Sequence, residues 1–181
     1  IGSDIALTSG HWFCSHTVES TYTYRSDFPR AITEAYIHPK YKCKDRNQDA
    51  NSHDLALIQV DSELPHQSFL SRSPIEKGDT VILVGFGSIG FDAKPSSAGR
   101  KHSGKNVYKG NHYEGNITFR GDGFVVGDLR NTARPGENVA ILHGDSGGPI
   151  ITPGKGIVGI ARATSKELSD NQLTSYAVDL S

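Results

Sequence analysis

One serine stands in the run Gly144-Asp145-Ser146-Gly147-Gly148-Pro149, between the apolar stretches Val139-Ala140-Ile141-Leu142 and Ile150-Ile151. Glycines around a serine let the backbone turn sharply and come close to a ligand. Such a turn can present the hydroxyl together with converging backbone N–H groups, the layout of a nucleophile beside an oxyanion hole. A plain turn between two strands is the ordinary alternative. A serine hydroxyl is a poor nucleophile at neutral pH, so the chemical reading requires a base, and the base requires an orienting acid.

Eight histidines are available: His11, His16, His38, His53, His66, His102, His112 and His143. His11 stands out because it follows the short apolar run Ile5-Ala6-Leu7-Thr8 and the small pair Ser9-Gly10, which lets a loop close and aim the ring. His38 ends a strand-like run before Pro39, His53 falls in a polar loop, and His102 and His112 fall in the most loop-like region. The acid should sit at a strand end and be buried. Asp54 directly precedes Leu55-Ala56-Leu57-Ile58, but Asp61 and Asp79 have similar settings, so the local pattern alone leaves the choice open.

The elements that must position these groups read as short strands. Glycine is abundant at 20 residues, and the apolar runs are brief and β-branched, which favours an all-β domain rich in turns. Strands are expected at residues 5–8, 17–24, 31–37, 55–60, 80–84, 124–126, 140–142, 150–152 and 157–161. Residues 173–180 read as a further strand or the start of a terminal helix. Residues 62–78 read as a long irregular connection between two subdomains, and residues 88–116 as hairpins or loops. Asn116-Ile117-Thr118 matches a glycosylation sequon, a surface-loop hint only. No stretch carries the long 3.6-residue apolar period of a helical domain.

Charge is nearly balanced, 19 Lys+Arg against 20 Asp+Glu, which gives no reason to expect a nucleic acid or an anionic membrane as partner. No apolar run approaches bilayer-spanning length. The chain holds no methionine and begins Ile1-Gly2-Ser3-Asp4, which reads as a processed product or a fragment. Two cysteines, Cys14 and Cys43, allow one internal pairing; a bridge in an oxidising compartment and two free thiols both remain open. His11, Cys14 and His16 fall within six residues, but structural zinc normally takes four ligands, so the metal reading is weak and no cofactor is expected.

Together these stretches resemble the trypsin-like, chymotrypsin-fold serine endopeptidases. Leu7-Thr8-Ser9-Gly10-His11 resembles the segment carrying the family's catalytic histidine, Asp54-Leu55-Ala56-Leu57-Ile58 its aspartate motif, and Gly144 to Pro149 its complete serine motif. Tyr36-Ile37-His38-Pro39-Lys40-Tyr41 and Val84-Gly85-Phe86-Gly87 match further stretches. The order His, Asp, Ser is that of this family and not of subtilisins or α/β-hydrolases. The resemblance implies two six-stranded antiparallel β-barrels, with residues 1–66 as an incomplete N-terminal barrel carrying His11 and Asp54. Residues 67–181 then form the C-terminal barrel with Ser146 and the substrate pocket. It implies that Ser146 attacks a peptide carbonyl, His11 relays the proton, Asp54 fixes the imidazole, and the N–H groups of Gly144 and Ser146 form the oxyanion hole.

Departures from the family carry expectations too. Trp12 replaces the cysteine that normally follows the histidine, and Leu142 replaces one beside the pocket, which reads as a divergent branch for which a bacterial origin is one reading. Ala140 takes the pocket-floor position where trypsin-type enzymes have aspartate, implying cleavage after small or apolar residues and not after Lys or Arg. Ile141 is expected to narrow the pocket and His143 to line its rim. Gly159-Ile160-Ala161 is expected to pair with substrate backbone, with Ala161 crowding the entrance. His11 lies too near residue 1 for a full first barrel, so a separate or cleaved N-terminal polypeptide is expected to complete it. By resemblance Asp145 pairs with an activating amine, as in a zymogen-derived enzyme, secreted or periplasmic. A catalytically inactive, protease-like binding module is the main alternative.

Overall fold

A strand whose inner residues are apolar needs a neighbour on its hydrogen-bonding edges and a layer against its face. The computed structural model describes residues 3–14, 18, 22–23, 30–43, 53–65, 67–88, 101–108, 110, 116–121, 139–166 and 173–180. The chain divides into two compact units, Ile1–Ser68 and Phe69–Ser181.

The first unit holds β1 (Ile5–Thr8), a 3₁₀ turn (Gly10–Cys14), β2 (Tyr22–Thr23), β3 (Arg30–Ile37) and β4 (Ala56–Val60). They form an antiparallel sheet in the order β1-β4-β3-β2. Alternation along β4 turns Ala56, Ile58 and Val60 inward while Leu57 faces out, as the period of two requires. Ile32, Ile58 and Val60 make the core, packed by Ala6, Phe13, Val18, Ala35 and Leu64. The register sets Thr8 opposite Ala56. The segment leaving β1 and the segment entering β4 therefore lie at the same end of the sheet.

The second unit holds β5 (Thr80–Gly85), β6 (His102–Val107), β7 (Asn116–Gly121), β8 (Pro149–Thr152), β9 (Gly156–Lys166) and β10 (Leu173–Asp179). The sheet runs β6-β5-β8-β9-β10-β7 and is antiparallel throughout, and its two end strands come into contact, so it curls on itself. Val81, Leu83, Val139, Ile141, Ile150, Val158 and Ala177 fill its interior. This is the all-β architecture that the resemblance implies, a chymotrypsin-like arrangement with the first barrel incomplete: four described strands against six.

Several elements differ from the sequence reading. Residues 140–142 are buried but belong to no strand; side chains hold them instead of a ladder, as described below. Residues 102–107, within the segment expected as hairpins or loops, form β6, paired with β5. The Asn116 sequon opens β7, paired to β10, and is not a loop. Of the two alternatives for the last segment the strand holds, over Leu173–Asp179. The expected strand at 124–126, together with His16, His66 and His112, lies outside the described residues.

Candidate active site

His11 and Asp54 meet where the paired ends of β1 and β4 open. The chain leaves β1 through Ser9, fully buried, and enters at Gly10 the 3₁₀ turn that lifts His11. A Cβ on Gly10 would lie 2.9 Å from the Leu55 carbonyl oxygen and 3.3 Å from Ile37 Cγ2, so only glycine lets this loop close. Asp54 is 2 % exposed and spends both oxygens on one residue. Its Oδ1 accepts from the His11 backbone N–H at 2.7 Å, and its Oδ2 from His11 Nδ1 at 2.7 Å. An ionised carboxylate only accepts, so Nδ1 carries the proton and Nε2 keeps a lone pair, the tautomer of a general base. The His11 side chain is about a third exposed, within reach of a substrate. A Cys14–Cys43 disulfide ties the end of the 3₁₀ turn to the loop after β3. It closes the free-thiol alternative and takes Cys14 out of the metal reading, which needed its thiolate. Exposed Trp12 stacks beside His11, ring centroids 6.2 Å apart.

The competing candidates have other engagements. Asp79 pairs with Lys155 at 2.8 Å, and that ammonium holds its carboxyl below the usual range. Asp61 lies exposed after β4. The His38 and His53 rings pack tilted against each other, centroids 4.8 Å apart, and burial, aided by His38 and Lys40, lowers the His53 pKa.

Ser146 and its turn belong to the second unit. Gly144 has φ +93°, a conformation that L side chains rarely adopt, and a Cβ there would also lie 2.9 Å from the Gly87 Cα. Within the turn the N–H of Asp145 bonds to the Leu142 carbonyl, that of Gly147 to Ala161, and that of Gly148 to Asp145. The N–H groups of Gly144 and Ser146 have no acceptor among the described residues. The Ser146 hydroxyl donates to the Arg162 carbonyl at 2.9 Å.

Asp145 is buried beneath this turn. Its Oδ1 accepts from the Gly87 N–H at 2.8 Å and its Oδ2 from the Leu142 N–H at 2.9 Å. Burial raises its pKa, and those two donors and His102 work against the rise. Both oxygens thus have peptide partners, where the resemblance led us to expect an amine. Gly85 and Gly87 flank the carboxylate closely. His102, read as a loop residue, is instead buried on β6, with Nε2 2.9 Å from the Gly87 carbonyl.

The residues expected to line a pocket divide. Ala140 packs with Leu142 and Leu173 in a buried cluster. Ile141 lies in the main core, its N–H bonded to Ser175 Oγ. The void bordered by Ala140, Ile141 and Asp145 is only about 10 Å³, room for one water. His143 is exposed, and its carbonyl accepts from the Ser88 N–H. Gly159, Ile160 and Ala161 do not offer an edge to substrate: β8 pairs with this stretch on one side and β10 on the other. Ala161 is 2 % exposed and bonds Gly147 and Gly148 through its own backbone, anchoring the serine turn. The strand residue bonded to the Ser146 hydroxyl is Arg162, one step later.

The family model described as Trypsin matches residues 1–178 of the chain. No curated protein sequence matches it significantly. Among solved structures, the chain is similar in fold to neuropsin, a serine protease expressed in the limbic system of mouse brain. That likeness has a TM-score of 0.70 at 17% identity and covers 99% of this chain and 81% of that one.

Proposed function

Because the chain belongs to the trypsin family, we propose that it is a serine endopeptidase working through an acyl-enzyme, with Ser146 as nucleophile, His11 as base and Asp54 as orienting acid. The observation that carries this reading is the hydrogen-bond account of the serine turn. Every other N–H from Asp145 to Gly148 is spent within the protein, while those of Gly144 and Ser146 have no acceptor among the described residues. Two adjacent unspent donors beside a serine are what a developing oxyanion requires. Ser146 Oγ bonds to the carbonyl carbon as its proton passes to His11 Nε2. The imidazolium is stabilised by Asp54 and returns that proton to the leaving amine, and water then repeats the cycle on the ester. No metal or organic cofactor enters these steps.

Ala140, at the position of the family's pocket floor, offers no carboxylate to a cationic side chain. The expected preference is therefore for small or apolar residues before the scissile bond, with His143 at the rim. The disulfide supports an oxidising compartment, secreted or periplasmic. A second reading, a protease-like binding module, has one observation in its favour: the Ser146 hydroxyl is donated to the Arg162 carbonyl, not to a base. Labelling by a fluorophosphonate separates the two. Stoichiometric labelling of the wild-type protein, abolished in Ser146→Ala and strongly slowed in His11→Ala, supports the enzyme. Absence of labelling in the folded wild-type protein favours the binding module.

A further inference from the structure

We infer that His102 is a positioning residue for the serine turn, holding the Gly87 backbone that supports Asp145 and Gly144; this deepens the oxyanion-hole reading above and rests on it for its catalytic consequence. His102 opens β6, opposite Gly85 on β5, and is 8 % exposed. A carbonyl oxygen can only accept, so the 2.9 Å contact with Gly87 fixes the proton on His102 Nε2. Gly87 is itself buried, so its carbonyl would lack a partner without this ring.

The same residue touches the serine turn in two other ways. Its N–H donates to Asp145 Oδ1 at 2.8 Å, and its Cα lies against Gly144, where even one added carbon would sit 2.9 Å away. The next residue continues the support, the Ser88 N–H donating to the His143 carbonyl at 2.9 Å. Residues 87–88 thus form a platform under residues 143–145, and the imidazole is its side-chain brace from behind. A donor at this place fixes Gly87, Gly87 fixes the Asp145 carboxylate, and Asp145 holds the Leu142 N–H on the other flank. The two unspent N–H groups are aimed by that frame.

Three variants of the full chain test this: His102→Ala, His102→Gln, whose amide N–H can replace the Nε2 donor, and His102→Leu, which fills space without donating. Amide hydrogen exchange at Gly87 and Leu142 is read by NMR, and kcat and KM are measured on a peptide ester. In His102→Ala and His102→Leu we expect exchange at both amides to rise roughly tenfold, as for loss of one buried hydrogen bond. Amides of β4 should be unchanged, kcat should fall about tenfold, and KM should stay within about twofold. His102→Gln should recover both readouts. Wild-type exchange at Gly87 in the Leu variant, or Leu and Gln behaving alike, overturns the assignment. If His102→Ala fails to fold, the Leu–Gln comparison decides. If the wild-type protein proves inactive, the serine-protease reading fails while the exchange data still decide the role of His102.

Discussion

Asp54→Asn is the sharpest perturbation of the His11–Asp54 pair, because the two side chains are nearly the same size and only the donor–acceptor account changes. Both Asp54 oxygens accept at 2.7 Å, one from the His11 backbone N–H and one from Nδ1. An asparagine has one acceptor end and one donor end, so no amide orientation satisfies both. If the NH₂ faces the backbone N–H, two fixed donors oppose each other and nothing relieves them. If it faces Nδ1, the ring relieves the conflict by moving its proton to Nε2. The second arrangement wins, and it removes the lone pair that must receive the serine proton. The rate should fall by roughly 10³ to 10⁴. Stability should fall by only about 1.5–3 kcal/mol, the scale of a hydrogen bond to a charged group. The assay is burst kinetics on an activated ester, with urea unfolding in parallel. A folded Asp54→Asn protein, disulfide intact, that keeps more than about a tenth of wild-type kcat would refute the reasoning.

Other outcomes follow from features described above. Burial raises the Asp145 pKa above its ordinary 3.8, so between that value and the raised one the unfolded chain is ionised while the folded one holds its proton. Stability should therefore decline as pH climbs through that window, and Asp145→Asn should flatten the slope in urea midpoints measured across it. The Cys14–Cys43 bridge spans a separation of 29 residues, and its reduction or Cys14→Ser should cost about 3–4 kcal/mol, read by denaturation with and without reductant. An unchanged midpoint would contradict it. Gly10→Ala should lower both thermal stability and kcat, because the new methyl meets the Leu55 carbonyl on the segment leading into His11. Wild-type kinetics in that variant would show that the loop yields freely.

How much could be read from the residues alone depended on where the determining forces act. The segments around His11, Asp54 and Ser146 were picked out together by the family resemblance; local spacing marked His11 and Ser146 as candidates and left Asp54 level with Asp61 and Asp79. The pairing of Thr8 with Ala56 then needed only antiparallel geometry to bring the first two together. β6 was invisible for a physical reason. Its inward residues are His102, Gly104 and Asn106, so the strand's alternation of burial has no alternation of hydrophobicity behind it. Residues 139–142 misled in the opposite sense. They are apolar enough for a strand, yet their backbone is held by nearby Asp145 and by Lys105, Asn106 and Ser175, three distant partners that no local window contains. In the three-residue stretch 159–161 local pattern could not give the register: its residues pair with β8 and β10, and the carbonyl bonded to the Ser146 hydroxyl is that of Arg162, the next residue.

The tight fit around Asp145 sets limits on which sequences can carry this turn. A side-chain carbon at position 85 would lie 2.0 Å from Asp145 Oδ1, and one at position 87 would lie 2.7 Å from the same oxygen and 2.5 Å from the His143 carbonyl. Shortening residue 145 would make room, but it would strand the Gly87 and Leu142 amides. Positions 85, 87 and 145 therefore cannot be explored one at a time. In a saturation library each should look intolerant alone, and any viable replacement should surface only as a combination, a three-way epistatic block linking residues 58 to 60 positions apart in the chain.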